Sequence, residues 1–220
     1  MPPRAVSVFL TTESVLYAAF LFQDLTGLSA GNTLIKYSSI LLCLGFSALC
    51  AYRGGERLVF AALVLTSLAD WFLLVLGRYP ALGVFLFLGV QMIYLIRLRH
   101  ALGKGWRLLR SPLPFLIGGV MCAVGQATPL NLLAGLYFSQ LVVNTFLAWQ
   151  LPGRRWRLFA IGLTLFAGCD LCVGIYHTPT LFPAPLYAFA RVGMWLFYLP
   201  AQVLIALSAR PEKGGCHEAE

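Results

Sequence analysis

Residues 57–78 read RLVFAALVLTSLADWFLLVLGR, with Asp70 the one ionisable side chain between the two flanking arginines. An α-helix needs about 20 mostly apolar residues to cross the hydrocarbon core of a bilayer. The stretch therefore predicts a membrane span over 58–76. The same reading gives seven more, at 5–23, 35–52, 81–97, 112–127, 130–149, 157–176 and 186–208. Glycine, proline and charge punctuate the joints, as in Gly77-Arg78-Tyr79-Pro80, Thr128-Pro129 and Pro152-Gly153-Arg154-Arg155. Composition agrees. The 220 residues are 60% hydrophobic and 11% charged, with a mean hydropathy of +0.81. A soluble domain carries about 25% charged residues. So little polar surface excludes a water-soluble enzyme, a disordered protein and a secreted disulfide scaffold. The expected fold is all-α, a polytopic membrane bundle of eight transmembrane helices. It forms one domain over 1–208, and 209–220 make a short disordered cytoplasmic tail.

Charge orders the eight. Arg4, Arg53, Arg57, Arg97, Arg99, Lys104, Arg107, Arg110, Arg154, Arg155, Arg157, Arg210 and Lys213 fall on one side of the alternation. Lys36 and Arg78 fall on the other, and Arg191 lies within the last span. The positive-inside rule then puts both termini in the cytoplasm. The net charge of +8 marks basic loops on one membrane face rather than a nucleic-acid surface. The expected partner is the bilayer, and the expected place is the cell membrane, crossed many times. Arg4 before an apolar run imitates a signal peptide, but that run contains Glu13 and lacks a small-residue cleavage site.

An ionised Asp at mid-bilayer costs about 2.5–3.5 kcal/mol on insertion scales, so buried carboxylates are functional candidates. Glu13, Asp70 and Asp170 are the three that occur. Asp70 lies about 18 Å along the third helix and Asp170 about 20 Å along the seventh. Both helices rise from the same side, so the two carboxyls reach nearly one depth and are expected to face each other. Further polar residues fall in stripes, which face one neighbour on a helix. Arg191, Trp195, Tyr198 and Gln202 share the eighth helix, and Tyr137, Gln140 and Asn144 the sixth. Gln91 and Tyr94 lie on the fourth, Glu13 and Tyr17 on the first. Each stripe alone reads as polar glue between helices, about 0.6 kcal/mol per bond. Together with two aspartates they predict a common polar cavity.

Other motifs carry less. Cys169 and Cys172 have redox spacing but sit in an apolar helix without a thioredoxin-like context. His100, His177 and His217 fall in a loop, at a helix end and in the tail, so no histidine-based metal site is visible and no cofactor is expected.

Leu65-Thr66-Ser67-Leu68-Ala69-Asp70 is similar to the third-helix Gly-Asp motif of the lysoplasmalogenase-like (YhhN-like) membrane family. Phe166-Ala167-Gly168-Cys169-Asp170 resembles the family's second aspartate motif, and Tyr198 to Ser208 its closing Tyr…Ala-Gln…Ser signature. Asn144 sits where the family often has an asparagine before a basic loop. The chain resembles a divergent member: Ala69 and Cys169 replace the usual Gly and Ser, and Gln91 stands where His commonly precedes a Tyr. Glutamine hydrogen-bonds but does not titrate.

The resemblance implies hydrolysis of the vinyl ether of a lysoplasmalogen, a lysophospholipid, to a fatty aldehyde and a glycerophospho-headgroup. Asp70 and Asp170 would be catalytic, one carboxyl protonated and the other ionised, as in glycosidases. Gln91, Tyr94, Asn144, Arg191, Tyr198 and Gln202 would contact substrate. A transporter is the rival class, because each four-helix half places an Asp in its third helix and a Gln in its fourth: Asp70 with Gln91, Asp170 with Gln202. A catalytically silent lipid-binding relative is the third.

Overall fold

The computed structural model describes residues 2–27, 32–103 and 112–211. Lys104, Arg107 and Arg110, with Lys213, Cys216 and His217 of the tail, lie outside the described residues. The described chain is helical: α1 Pro3–Thr26, α2 Asn32–Tyr52, α3 Arg57–Asp70, α4 Pro80–Leu102, α5 Leu113–Ala123, α6 Pro129–Trp149, α7 Arg154–His177 and α8 Ala184–Leu207. Proline starts α1, α4, α5, α6 and α8 within the first turn, where its missing N–H has no helical partner to lose. Thr128 caps α6 by accepting from the Asn131 amide at 3.2 Å.

Among the described residues seven helices are long and apolar enough to cross a membrane, α3 together with the turn that follows it. The eighth, α5, has 11 residues and so extends about 16 Å. Its expected span, 112–127, breaks at Gly125, whose φ of 69° ends the helix in a left-handed turn. No residue of α5 is buried. Among the described residues it packs on α6, outside the bundle.

The other helices close a ring. α2 packs on α3, α3 on α4, α4 on α6, α6 on α7, α7 on α8, and α8 returns to α2. α1 fills the outer seam between α2 and α8. The α7–α8 interface is the tightest, because small residues let backbones approach where lipid offers no hydrophobic drive. A Cβ on Gly162 would come within 3.1 Å of the Ala201 carbonyl oxygen, and one on Gly193 within 2.8 Å of the Cys172 sulfur. Large apolar side chains such as Val8, Phe22, Phe115 and Phe146 point outward, as a lipid-facing surface requires.

The two ends of the ring differ in charge chemistry. At one end the N-terminus of α3, the C-termini of α4 and α8, and the N-terminus of α7 converge on Arg97. The sequence places Arg97 at the edge of a basic loop; in the structure α4 runs on to Leu102 and Arg97 is only 2% exposed. Its guanidinium donates to Ser208 Oγ and Ser208 O, both at 3.0 Å, and its Nε lies 3.5 Å from Glu56. Trp156 and Phe159 cover its face, and Arg155 pairs with the same Glu56. Buried cations persist when paired and hydrogen-bonded, which explains why this one leaves the loop. The Glu56 amide also donates to the Ala209 carbonyl, and Ala209 is buried, so ordered packing continues past Leu207.

One irregularity lies inside α8. Pro200 has no N–H for the carbonyl four residues back, that of Leu196. The Tyr17 hydroxyl of α1 donates to that carbonyl at 3.0 Å, satisfying a group that lipid could not.

Candidate functional site

Asp70 is the last residue of α3 before a π-helical turn, Trp71–Val75, closed by the Leu76 amide on the Trp71 carbonyl at 2.9 Å. π-Turns are frequent at functional positions. Beyond it, Tyr79 takes a left-handed backbone (φ 58°, ψ 52°), the one non-glycine described residue with positive φ. Such a conformation at a bulky residue is strained, by about 1–3 kcal/mol. Phe72 contacts the Tyr79 ring and helps hold it. The connection leaving Asp70 is thus wound wide and then bent sharply into Pro80.

Each aspartate is held by a tyrosine. The Tyr198 hydroxyl of α8 donates to Asp70 Oδ2 at 2.5 Å, and the Tyr137 hydroxyl of α6 donates to Asp170 Oδ2 at 2.6 Å. Asp70 is buried and Asp170 partly so. Rings link the two tyrosines. Tyr198 packs edge-on to Phe166 at 5.4 Å, Phe166 edge-on to Phe87 at 5.7 Å, and Phe87 against Tyr137 at 5.8 Å. The sequence places the aspartates at one depth, and the structure brings both into one aromatic-lined core. Bonding through Oδ2 leaves each Oδ1 without a protein donor among the described residues. That oxygen is the one suited to exchange a proton with something between the helices.

The remaining candidates separate into three places. Asn144 donates to the Gln91 carbonyl at 2.8 Å and to Gln91 Oε1 at 3.0 Å, while Gln140 donates to Asn144. Gln91 and Asn144 therefore join α4 to α6 as well as facing the core. Tyr94 and Gln202 are fully buried further toward the Arg97 end. The Tyr94 hydroxyl, both polar atoms of the Gln202 amide, Gln91 Nε2 and Thr66 Oγ1 have no hydrogen-bond partner among the described residues. An unsatisfied buried polar atom costs about 1–3 kcal/mol, so five of them across α3, α4 and α8 mark an interior suited to polar guests.

Arg191 stands apart, exposed in a crevice at the opposite end. Glu13 stands apart too. Ser39 and Cys43 of α2 donate to its carboxyl at 2.5 and 3.3 Å, so it pins α1 to α2 rather than joining the aspartates. Tyr137 belongs to a stripe visible in the sequence, but nothing there assigned it to Asp170. Phe87 gives no sequence signal beyond being aromatic; Phe166 opens the second aspartate motif without an assigned role, and the Tyr37 hydroxyl donates to the Ser67 carbonyl one turn before Asp70.

The fold and the buried acidic core define a class: an integral membrane protein of many helices with its polar chemistry turned inward. The YhhN family model matches residues 31–209, and the chain belongs to the YhhN family. Comparison with curated proteins and with solved structures returns no match.

Proposed function

We propose that this protein is a lysoplasmalogenase-like hydrolase acting within the membrane, as its family membership suggests. The observation carrying the proposal is the pair of aspartates, each fixed through one oxygen by a tyrosine hydroxyl in a shared aromatic core. Vinyl-ether hydrolysis needs such a pair. One carboxylic acid protonates the β-carbon of the enol ether, giving an oxocarbenium ion. The other carboxylate takes a proton from water as its oxygen attacks that cation. The resulting hemiacetal collapses, releasing the fatty aldehyde and leaving the proton on the glycerol oxygen of the headgroup. Fixed hydrogen-bond donors hold the carboxyls in register before charge develops. Aromatic faces suit the passing cation.

Eight crossings with both termini cytoplasmic accompany this proposal, with α5, too short to span the hydrocarbon core by itself, supplying part of the fifth. Eight crossings keep Arg53, Arg57, Arg97, Arg99, Arg154, Arg155, Arg157 and Arg210 on one face, and the cell membrane is the proposed location. Cysteine labelling that found residues 104–111 on the face opposite the N-terminus would refute that arrangement. The activity is tested by incubating purified protein with lysoplasmalogen and measuring aldehyde. Turnover that depends on both aspartates supports the reading, and absence of aldehyde release refutes it.

A carrier is the second reading, favoured by one observation. The helix contacts repeat: α1 on α2, α2 on α3, α3 on α4, then α5 on α6, α6 on α7, α7 on α8, with α4–α6 answering α8–α2. Parallel repeats of this kind are common in transporters. Proteoliposome uptake without aldehyde release would favour it.

A further inference from the structure

At the end of the ring opposite Arg97, the C-termini of α1 and α7 and the N-termini of α2 and α8 enclose a crevice of about 310 Å³. Its lining includes Asp24, Asn32, Lys36, Tyr176, Arg191 and Trp195. We propose that this crevice binds the phosphate of a single-chain phospholipid, seating the headgroup so that its ether enters the aspartate core. The proposal rests on the hydrolase reading and names the part of the substrate that the aspartates do not touch.

The site is built, not incidental. Lys36 is 7% exposed, an unusual depth for an ammonium, and is sandwiched by the rings of Phe20 at 4.8 Å and Trp195 at 4.6 Å. Its one acidic neighbour among the described residues, Asp24, is 3.5 Å away, and that carboxylate also accepts from the Asn32 side chain. One carboxylate therefore serves Lys36 and an amide, while Arg191 has no acidic partner among the described residues. The lining carries two cations against one anion. A phosphate supplies the missing charge and accepts bidentately from a guanidinium while taking a bond from the ammonium.

The crevice borders the core. Trp195 lines it and packs edge-on to Tyr198 at 5.5 Å, and Tyr198 donates to Asp70. Arg191 and Tyr198 lie seven residues apart on α8, about 10 Å along its axis. A phosphate held by the long Arg191 side chain, continued by its glycerol unit, spans that interval. Val192 and Met194 give the crevice apolar walls beside its charges, matching an amphiphile better than a free ion.

The test is equilibrium binding to protein in nanodiscs. The probes are 1-hexadecyl-lysophosphatidylcholine, whose saturated ether is not hydrolysed by protonation, and 1-hexadecylglycerol, which lacks the phosphate. Wild type is expected to bind the phospholipid about tenfold more tightly than the glycerol. Arg191→Gln, a change at an exposed side chain, is expected to abolish that preference and leave hexadecylglycerol binding unchanged. Lys36→Gln should do the same if it folds. Equal binding of the two probes by wild type, or a preference kept by Arg191→Gln, overturns the proposal. Inorganic phosphate displacing the phospholipid at equal concentration would overturn it in favour of a free-anion site; displacement only at large excess supports the lipid. A protein that binds as expected but hydrolyses nothing leaves the crevice standing while the hydrolase reading fails.

Discussion

The two four-helix halves share the order in which successive helices pack but differ in the chemistry around their aspartates. In each, a tyrosine on the second helix precedes the third-helix aspartate by 33 residues: Tyr137 and Asp170, and likewise Tyr37 and Asp70. In the second half that tyrosine donates to the carboxylate itself. In the first half it donates at 3.3 Å to the Ser67 carbonyl, and Asp70 takes its hydrogen bond from Tyr198 of the other half. The second aspartate sits in an uninterrupted α-helix, whereas the first is followed by a π-turn. A repeated scaffold thus holds one carboxyl from within its own half and the other from across the ring. The bond that crosses the ring ties Asp70 of the first half to α8 of the second.

The hydrolase reading makes both carboxyls indispensable despite these different settings. Asp70→Asn and Asp170→Asn should each lower turnover on lysoplasmalogen by about 10²–10⁴-fold, the range for general acid–base catalysis. Asn keeps the shape and accepts the tyrosine bond, so both variants should extract from membranes as folded protein. Full turnover in either variant would reduce that aspartate to a packing residue and make the halves functionally unequal.

The next effect falls on stability. Arg97 of the first half clamps the end of α8 through Ser208, and no cation of the second half is described in a matching clamp. Arg97→Met should destabilise the protein by about 3 kcal/mol, read as a lowered unfolding temperature in detergent, because Ser208 and Glu56 lose a buried partner. An unchanged transition would mean that the ring closes without this contact.

Much of this was legible before any coordinates. Seven long apolar helices follow from period and spacing, and the same spacing puts Asp70 and Asp170 at similar distances along their helices. The pairings do not, because Tyr198 meets Asp70 across 128 residues and no local pattern encodes that contact. The burial of Arg97 was hidden for a related reason. Basic residues at a helix end normally report the membrane edge, and only the arrival of Ser208, Trp156 and Phe159 makes this one internal. The length of α5 was misleading too, since an apolar run ends wherever Gly125 turns, not where hydropathy falls. The π-turn leaves no compositional mark at all.

Removing the hydroxyls separates holding a carboxyl from being one. Tyr198→Phe and Tyr137→Phe should each lower turnover about tenfold, the loss expected for one hydrogen bond to a charged or charge-developing group. The aspartates remain in place, so the effect should stay well below that of the Asn variants. A tenfold loss in Tyr198→Phe alone would show that only the bond across the ring matters.

The smallest expected effect is the most diagnostic for the comparison. Tyr37 occupies the place in the first half that Tyr137 occupies in the second, yet its hydroxyl serves a backbone carbonyl rather than a carboxylate. A long, neutral bond of this kind contributes about 0.5–1.5 kcal/mol at most, and its 3.3 Å length puts it at the lower end. Tyr37→Phe should therefore shift the unfolding temperature slightly and leave turnover within about twofold of wild type. The ring stays against Trp71, preserving the packing beside the π-turn. If Tyr37→Phe instead lost activity to the same degree as Tyr137→Phe, Tyr37 would have to swing onto Asp70 during turnover. The halves would then be equivalent in the working protein, and the bond from Tyr198 would be one of two alternatives for the same carboxyl.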